Sequence, residues 1–174
     1  MEVLIGLESP SAMSLKGLEL NNDWKHRQRE HYHKLILNIQ SAGIRVNGCF
    51  IVGLDGDTEA SFDALYDWVV ELGLYDVQIC YPTAFPGTPF YERLKAAGRL
   101  DQPDDWAMRT LFDLHFDPTP MDRETLRAGF VDLVRRIYGE ECTRLRRAGY
   151  RAQRRAGRCP DAPNSSLVSR PPEA

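Results

Sequence analysis

The chain has 174 residues, 43% hydrophobic and 27% charged, with a net charge of −3. That composition suits one domain, or one domain with an appendage, and a real core. No apolar run approaches membrane-spanning length, and the opening MEVLIGLESP lacks the charged and apolar regions of a signal peptide.

Elements follow in chain order. Glu2 to Leu7 reads as a short apolar strand. Asp23 to Ala42 reads as a helix with Tyr32, Leu35, Ile36 and Ile39 on one face and Gly43 to end it. Ile44 to Val52 is a second strand, whose apolar run Cys49 to Val52 suits a strand covered on both faces. Thr58 or Asp57 caps the next helix, with Phe62, Leu65, Tyr66 and Val69 as its buried face and Gly73 as its stop. Val77 to Tyr81 is a third strand, and Phe90 to Ala97 a short helix closed by Gly98. Strand-to-strand intervals of this length fit right-handed βαβ units, hence an α/β fold with three parallel strands and crossover helices.

After Leu100 the alternation stops. Pro103 to Pro120 reads as irregular, with WAMRTLFDLHF as a short helix or strand. A long helix follows from Arg123, capped by Asp122, with Leu126, Phe130, Leu133, Val134 and Ile137 as its apolar stripe. From Cys159 onward the Pro- and Ser-rich sequence predicts disorder. The organisation expected is therefore residues 1–99 as a strand-and-helix unit, 100–157 as a helical extension and 158–174 as a disordered tail.

The modest net charge hides an asymmetry. Residues 1–122 carry 10 Lys/Arg against 19 Asp/Glu, whereas residues 123–158 carry 11 against 4. An acidic body is thus joined to a basic segment, expected to be solvated or docked on that body. Nucleic-acid or partner binding is the sharper alternative, weakened by few interleaved aromatics beyond Tyr138 and Tyr150. Cys49, Cys80, Cys142 and Cys159 are widely spaced with no C-x-x-C pair, and fit buried free thiols in a reducing cytoplasm. His26, His31 and His33 lie on one predicted helix, but only His26 and His33 share a face, and neither has a carboxylate in a ligand pattern. A solvated surface is the expectation for them.

The strand-to-helix turns carry the functional signal, because ligands of parallel α/β proteins bind at the C-terminal ends of the strands. Three segments are informative together: Ile5-Gly6-Leu7-Glu8-Ser9, AGIRVNGCFIVGLDGDTEASF, and LYDVQICYPTAFPGTPFYERLKAAGRL. They resemble radical S-adenosylmethionine enzymes, specifically those with an N-terminal cobalamin-binding domain. WAMRTLFDLHFDPTPMDRETLRAGF with IYGEE resembles the C-terminal helical extension of that group, so the resemblance covers roughly residues 2 to 147.

That resemblance implies a partial (β/α) barrel, of which these strands would be the fourth, fifth and sixth. It implies S-adenosylmethionine and a [4Fe-4S] cluster as cofactors, with cobalamin in the intact family. The cluster's C-x-x-x-C-x-x-C motif does not occur in this sequence. The expectation is a C-terminal fragment or completing subunit, inactive alone, of a cytoplasmic enzyme. Its partner would be its missing N-terminal half or another chain closing the barrel. The small-molecule substrate stays unidentified, and neither membrane nor nucleic acid is expected as a partner.

By the same resemblance, Glu8 and Ser9 match the place that holds the ribose and polar groups of S-adenosylmethionine. Gly53, Leu54 and Asp55 match the turn approaching the adenine. Pro86 and Gly87 match the loop after the sixth strand, where Tyr81 and Phe85 are stacking candidates or simple core. Read from the residues alone, Ser9 or Ser11 capping a turn and a plain tight turn at Gly53 explain the same positions. No catalytic or metal-ligating residue is assigned. The rivals are a non-catalytic interaction protein, docking through the acidic half-barrel and the basic helix, and a nucleotide-phosphate binder, which the carboxylates of GLDGD disfavour. An open edge on the first strand would expose backbone groups beside apolar side chains, so self-association or poor solubility is expected.

Overall fold

Period-two burial and helical caps build a three-stranded parallel sheet in the computed structural model. It describes residues 1–15, 24–101, 107 and 109–157, with the backbone alone for 12 and 24–30. The predicted tail, Cys159, Asp23, Trp106, Met108 and the side chain of His26 lie outside the described residues. The elements are β1 (Glu2–Glu8), α1 (Ala12–Leu15), α2 (Trp24–Ser41), β2 (Arg45–Ile51), α3 (Glu59–Glu71), β3 (Asp76–Cys80), α4 (Pro89–Ala96), α5 (Arg123–Tyr138) and α6 (Glu140–Ala156). The sheet order is β1-β2-β3, both pairs parallel. No helix among the described residues is long and apolar enough to cross a membrane.

One sheet face is buried. Leu7, Val46, Phe50, Val77 and Ile79 pack with Tyr32 and Ile36 of α2 and Phe62, Leu65 and Val69 of α3. The Trp68 ring meets Phe50 edge-on at 5.8 Å. Burial along β2 alternates strictly, so Cys49 and Ile51 are only half-buried. The apolar run Cys49 to Val52 therefore does not mark a strand covered on both faces. Its four apolar residues divide between the core and a second, uncovered face.

That second face is mixed rather than apolar: its first three rows are mostly polar, while Ile51 stands beside Cys80 in the fourth. Register places Glu2 beside Arg45, Leu4 beside Asn47 beside Asp76, and Gly6 beside Cys49 beside Gln78. Glu2 and Arg45 meet at 4.0 Å, and the Cys49 thiol lies 3.9 Å from Gln78 Oε1. Leu4, 65% exposed, is the large apolar side chain in these rows. One expectation for α2 also changes: Leu35 is exposed, whereas Gln40, one turn further on, is fully buried.

The C-terminal segment is two helices rather than one long one. Gly139, with ψ 156, breaks the chain between α5 and α6. Helix α5 packs on α3, where Gly129 lets the Phe62 ring approach so closely that a Cβ there would sit 2.2 Å from it. Helix α6 turns back across the N-terminal ends of β2 and β3. Arg146, fully buried, donates to the carbonyls of Leu74, Tyr75 and Ile137, and Tyr150 Oη donates to Gly43 O at 3.1 Å. The basic segment is tied to the acidic body by Arg136 with Asp63, at 2.7 Å, and by Arg123 with Asp101 and Asp117, each at 2.5 Å. The arginines exposed on α6 make no such pair among the described residues.

Candidate ligand-binding edge

The turns after β1 and β2 meet at the C-terminal end of the sheet, and Asp57 joins them. Its carboxylate is buried, accepting from Gly53 N at 2.9 Å and Leu54 N at 3.0 Å through Oδ2, and from Ser14 Oγ at 2.5 Å through Oδ1. Burial pushes its pKa up, opposed by these three donors. Asp57 thus fixes both turns from inside instead of capping α3. Thr58 takes the cap position, exchanging hydrogen bonds with Ser61. Gly53 has φ 95 and lies so close to Leu126 that a Cβ would come within 2.7 Å of that side chain. Only glycine satisfies both the angle and the approach.

The predicted site residues separate into groups. Glu8 sits at a register shift between β1 and β2 with φ 63, the described non-glycine residue with positive φ. It is half-buried at the strand end. Together with Cys49 it adds to the burial that pushes the Cys80 thiol up to about 11. Ser9 is buried, and its hydroxyl accepts from Ser11 N at 3.1 Å, as a turn-former does. Gly53 and Leu54 spend their N–H groups on Asp57. Asp55 is held by Arg99 at 2.8 Å and Arg93 at 3.6 Å. Pro86 and Gly87 form an exposed tip, and a Cβ on Gly87 would meet nothing within 4 Å. Tyr81 is core, stacked on Phe130 at 4.3 Å, whereas Phe85 is 52% exposed.

The loop after β3 rests on a base that the sequence did not reveal. Ala84 N donates to His115 Nε2 at 3.0 Å, and Arg109 donates to Ala84 O at 3.2 Å. Because the amide must donate, Nε2 accepts and Nδ1 carries the proton toward Asp113 O at 3.0 Å. The imidazole is therefore neutral, and burial, its largest influence, lowers its pKa. The only sequence signal was a His and an Arg inside an apolar stretch.

The Glu8 carboxylate, at the strand end, can accept from hydroxyl or ammonium groups. The 53–57 turn cannot serve a phosphate, since Asp57 already occupies its N–H groups with negative charge. The cysteines do not fit an iron–sulfur cluster: no group of three His, Cys, Asp or Glu among the described residues could hold a metal. His31 and His33 lie exposed on α2.

Comparison with known proteins follows the same line. Residues 88–163 match a family described as a domain of unknown function, DUF4070, a span running from the start of α4 through α6. The chain is 30% identical over 134 residues to the bacteriochlorophyllide d C-12(1)-methyltransferase of Chlorobaculum tepidum, covering 77% of this chain and 28% of that protein. It is 28% identical over 103 residues to the hopanoid C-2 methylase of Rhodopseudomonas palustris, 59% of this chain and 19% of that one. It is 37% identical over 73 residues to the tRNA-2-methylthio-N(6)-dimethylallyladenosine synthase of Cereibacter sphaeroides, 41% and 17% respectively. The chain therefore spans between about a sixth and somewhat over a quarter of the length of these relatives. Two are named for methyl transfer and one for methylthio transfer, and they support kinship with the radical S-adenosylmethionine proteins.

Proposed function

We propose that this chain forms the later strands of a partial (β/α) barrel, plus the helical extension, of a radical S-adenosylmethionine methyltransferase of the cobalamin-binding type. The observation that carries the reading is the placement of Glu8, at its bulge and positive φ, on the same strand-end edge as the Asp57-locked turn. Bound S-adenosylmethionine supplies an activated methyl sulfonium in such chemistry. The chain's own part is to hold it: Glu8 accepts from its polar groups, Gly53 brings backbone close, and Leu126 closes the turn behind. The described cysteines, Cys49, Cys80 and Cys142, do not converge as an iron–sulfur cluster would need.

The polar rows of the second face support the same reading. A lumen that receives a ligand can carry Asn47, Cys49, Asp76 and Gln78, whereas a packed barrel interior is filled by bulky apolar side chains. No described strand pairs with β1 on the side away from β2. A completing segment, from a longer form of this protein or from another chain, would pair there. The reading makes the chain inactive by itself.

Calorimetric titration of the full chain with S-adenosylmethionine tests this. The expected result is weak binding, lost in Glu8→Ala with the melting temperature unchanged. Tight binding insensitive to Glu8, or no binding even at millimolar ligand, refutes the placement of the site.

A further inference from the structure

Helix α6 carries Arg144, Arg147, Arg151, Arg154 and Arg155, all exposed and none in an ion pair among the described residues. At 3.6 residues per turn they fall within an arc of about 100°, and at 1.5 Å per residue the row from Arg144 to Arg155 is about 17 Å long. The opposite side of the helix is fixed in the protein through Cys142, Arg146 and Tyr150. The row begins one turn beyond Glu140. Its inner end is braced: the guanidinium groups of Arg147 and Arg45 both lie over the Tyr75 ring, at 5.3 Å and 4.9 Å. The body's carboxylates stand elsewhere, with Glu59, Asp63, Glu124 and Asp132 lining a groove between α3 and α5. The row lies at the N-terminal end of the strands, away from the edge bearing Glu8 and Asp57.

We propose that this arginine row docks the phosphodiester backbone of a nucleic-acid duplex. The charge spacing supports it. One duplex strand presents a phosphate about every 3.4 Å of axis, so about five phosphates span the length over which α6 presents five guanidinium groups. Arginine's planar fork suits phosphate oxygens better than lysine's point charge, and the row contains no lysine. With its inner face buried, α6 can lie along a strand but cannot enter a groove. No exposed aromatic or amide side chain interrupts the row to stack on or read a base. The contact is therefore blind to sequence. A membrane surface fits less well, because an interfacial helix inserts bulky apolar residues beside its basic ones. The exposed flank of α6 offers Leu145 with Ala148, Ala152 and Ala156. This inference is independent of the methyl-transfer reading and survives its failure.

The test is fluorescence anisotropy of a labelled twenty-base-pair DNA duplex with the full chain across a salt series. Binding should weaken linearly in log–log form with a slope of about −4.5, for five phosphate contacts. Replacing the five arginines by Gln should weaken low-salt binding by about tenfold or more and flatten the slope. Arg127→Gln with Arg135→Gln, on the exposed side of α5, should change neither quantity. A DNA duplex of unrelated sequence should bind within a few-fold. All five positions are exposed, so an unchanged melting curve confirms folding. Absence of low-salt binding, or full binding by the five-fold variant, overturns the proposal. So does strong preference for phosphatidylserine vesicles that duplex cannot compete away.

Discussion

Replacing Asp57 by Ala should destabilise the whole C-terminal edge rather than one turn. The side chain is 2% exposed and takes three hydrogen bonds, from Gly53 N, Leu54 N and Ser14 Oγ. Truncation leaves three buried donors without an acceptor, and each orphaned donor costs about 1–3 kcal/mol. Because the three share one acceptor and relax together, the sum is discounted to about 3–4 kcal/mol. At about 2–4 °C per kcal/mol for a chain of this size, the melting temperature should fall by roughly 6–16 °C. Asp57→Asn keeps two acceptances at most and should fall between wild type and Ala. Far-ultraviolet circular dichroism with urea titration reads both. A melting temperature for Asp57→Ala within two degrees of wild type would show that the turns hold without the carboxylate. The pH dependence of Asp57 has a definite sign. Burial raises its folded pKa, so its contribution is greatest below the ordinary carboxylate value and declines as pH rises through the folded value.

Three further outcomes follow from the packing. Arg146→Met should cost about 3–5 kcal/mol, because three carbonyls lose their buried donor, and limited proteolysis should then cut within α6 before the sheet. Gly129→Ala drives a methyl into the Phe62 ring and should cost about 1–3 kcal/mol in urea unfolding, whereas Gly98→Ala, with nothing within 4 Å of its Cβ, should be limited to the strain of its φ of 63. His115 has a folded pKa below its ordinary value, so its stabilising contribution is present above about 6.5 and is lost as pH falls through the folded value. Over that range the protection of the Ala84 amide, measured against its intrinsic exchange rate, should fall in wild type, and an amide already unprotected at neutral pH would sink the assignment.

Much of the strand-and-helix part is legible in the sequence because its signals are local. Thr58, Thr88 and Asp122 sit at helix starts and Gly73 and Gly98 at helix ends, where short-range rules place them. The break at Gly139 was less legible because the apolar spacing runs on from Ile137 to Cys142, although the following pair Glu140 and Glu141 is a first-turn signature. Asp57 as the pivot of the site was not legible at all, since its partner Ser14 lies 43 residues away. Arg146 hides among five arginines that face solvent, and helical phase alone selects it. The two-faced coverage inferred for β2 failed because four adjacent apolar residues look the same whether one face or both is packed.

The clasp made by α6 bears on how the chain is synthesised. Gln153 reaches Gln40 across 113 residues and Tyr150 reaches Gly43 across 107. The partners near Gly43 leave the ribosome long before the residues that secure them. During translation the sheet's N-terminal end therefore waits with its loop carbonyls on water until α6, made more than a hundred residues later, withdraws them. Contacts of such separation are the slow part of folding, so the closing of this fold is a late event that waits on α6.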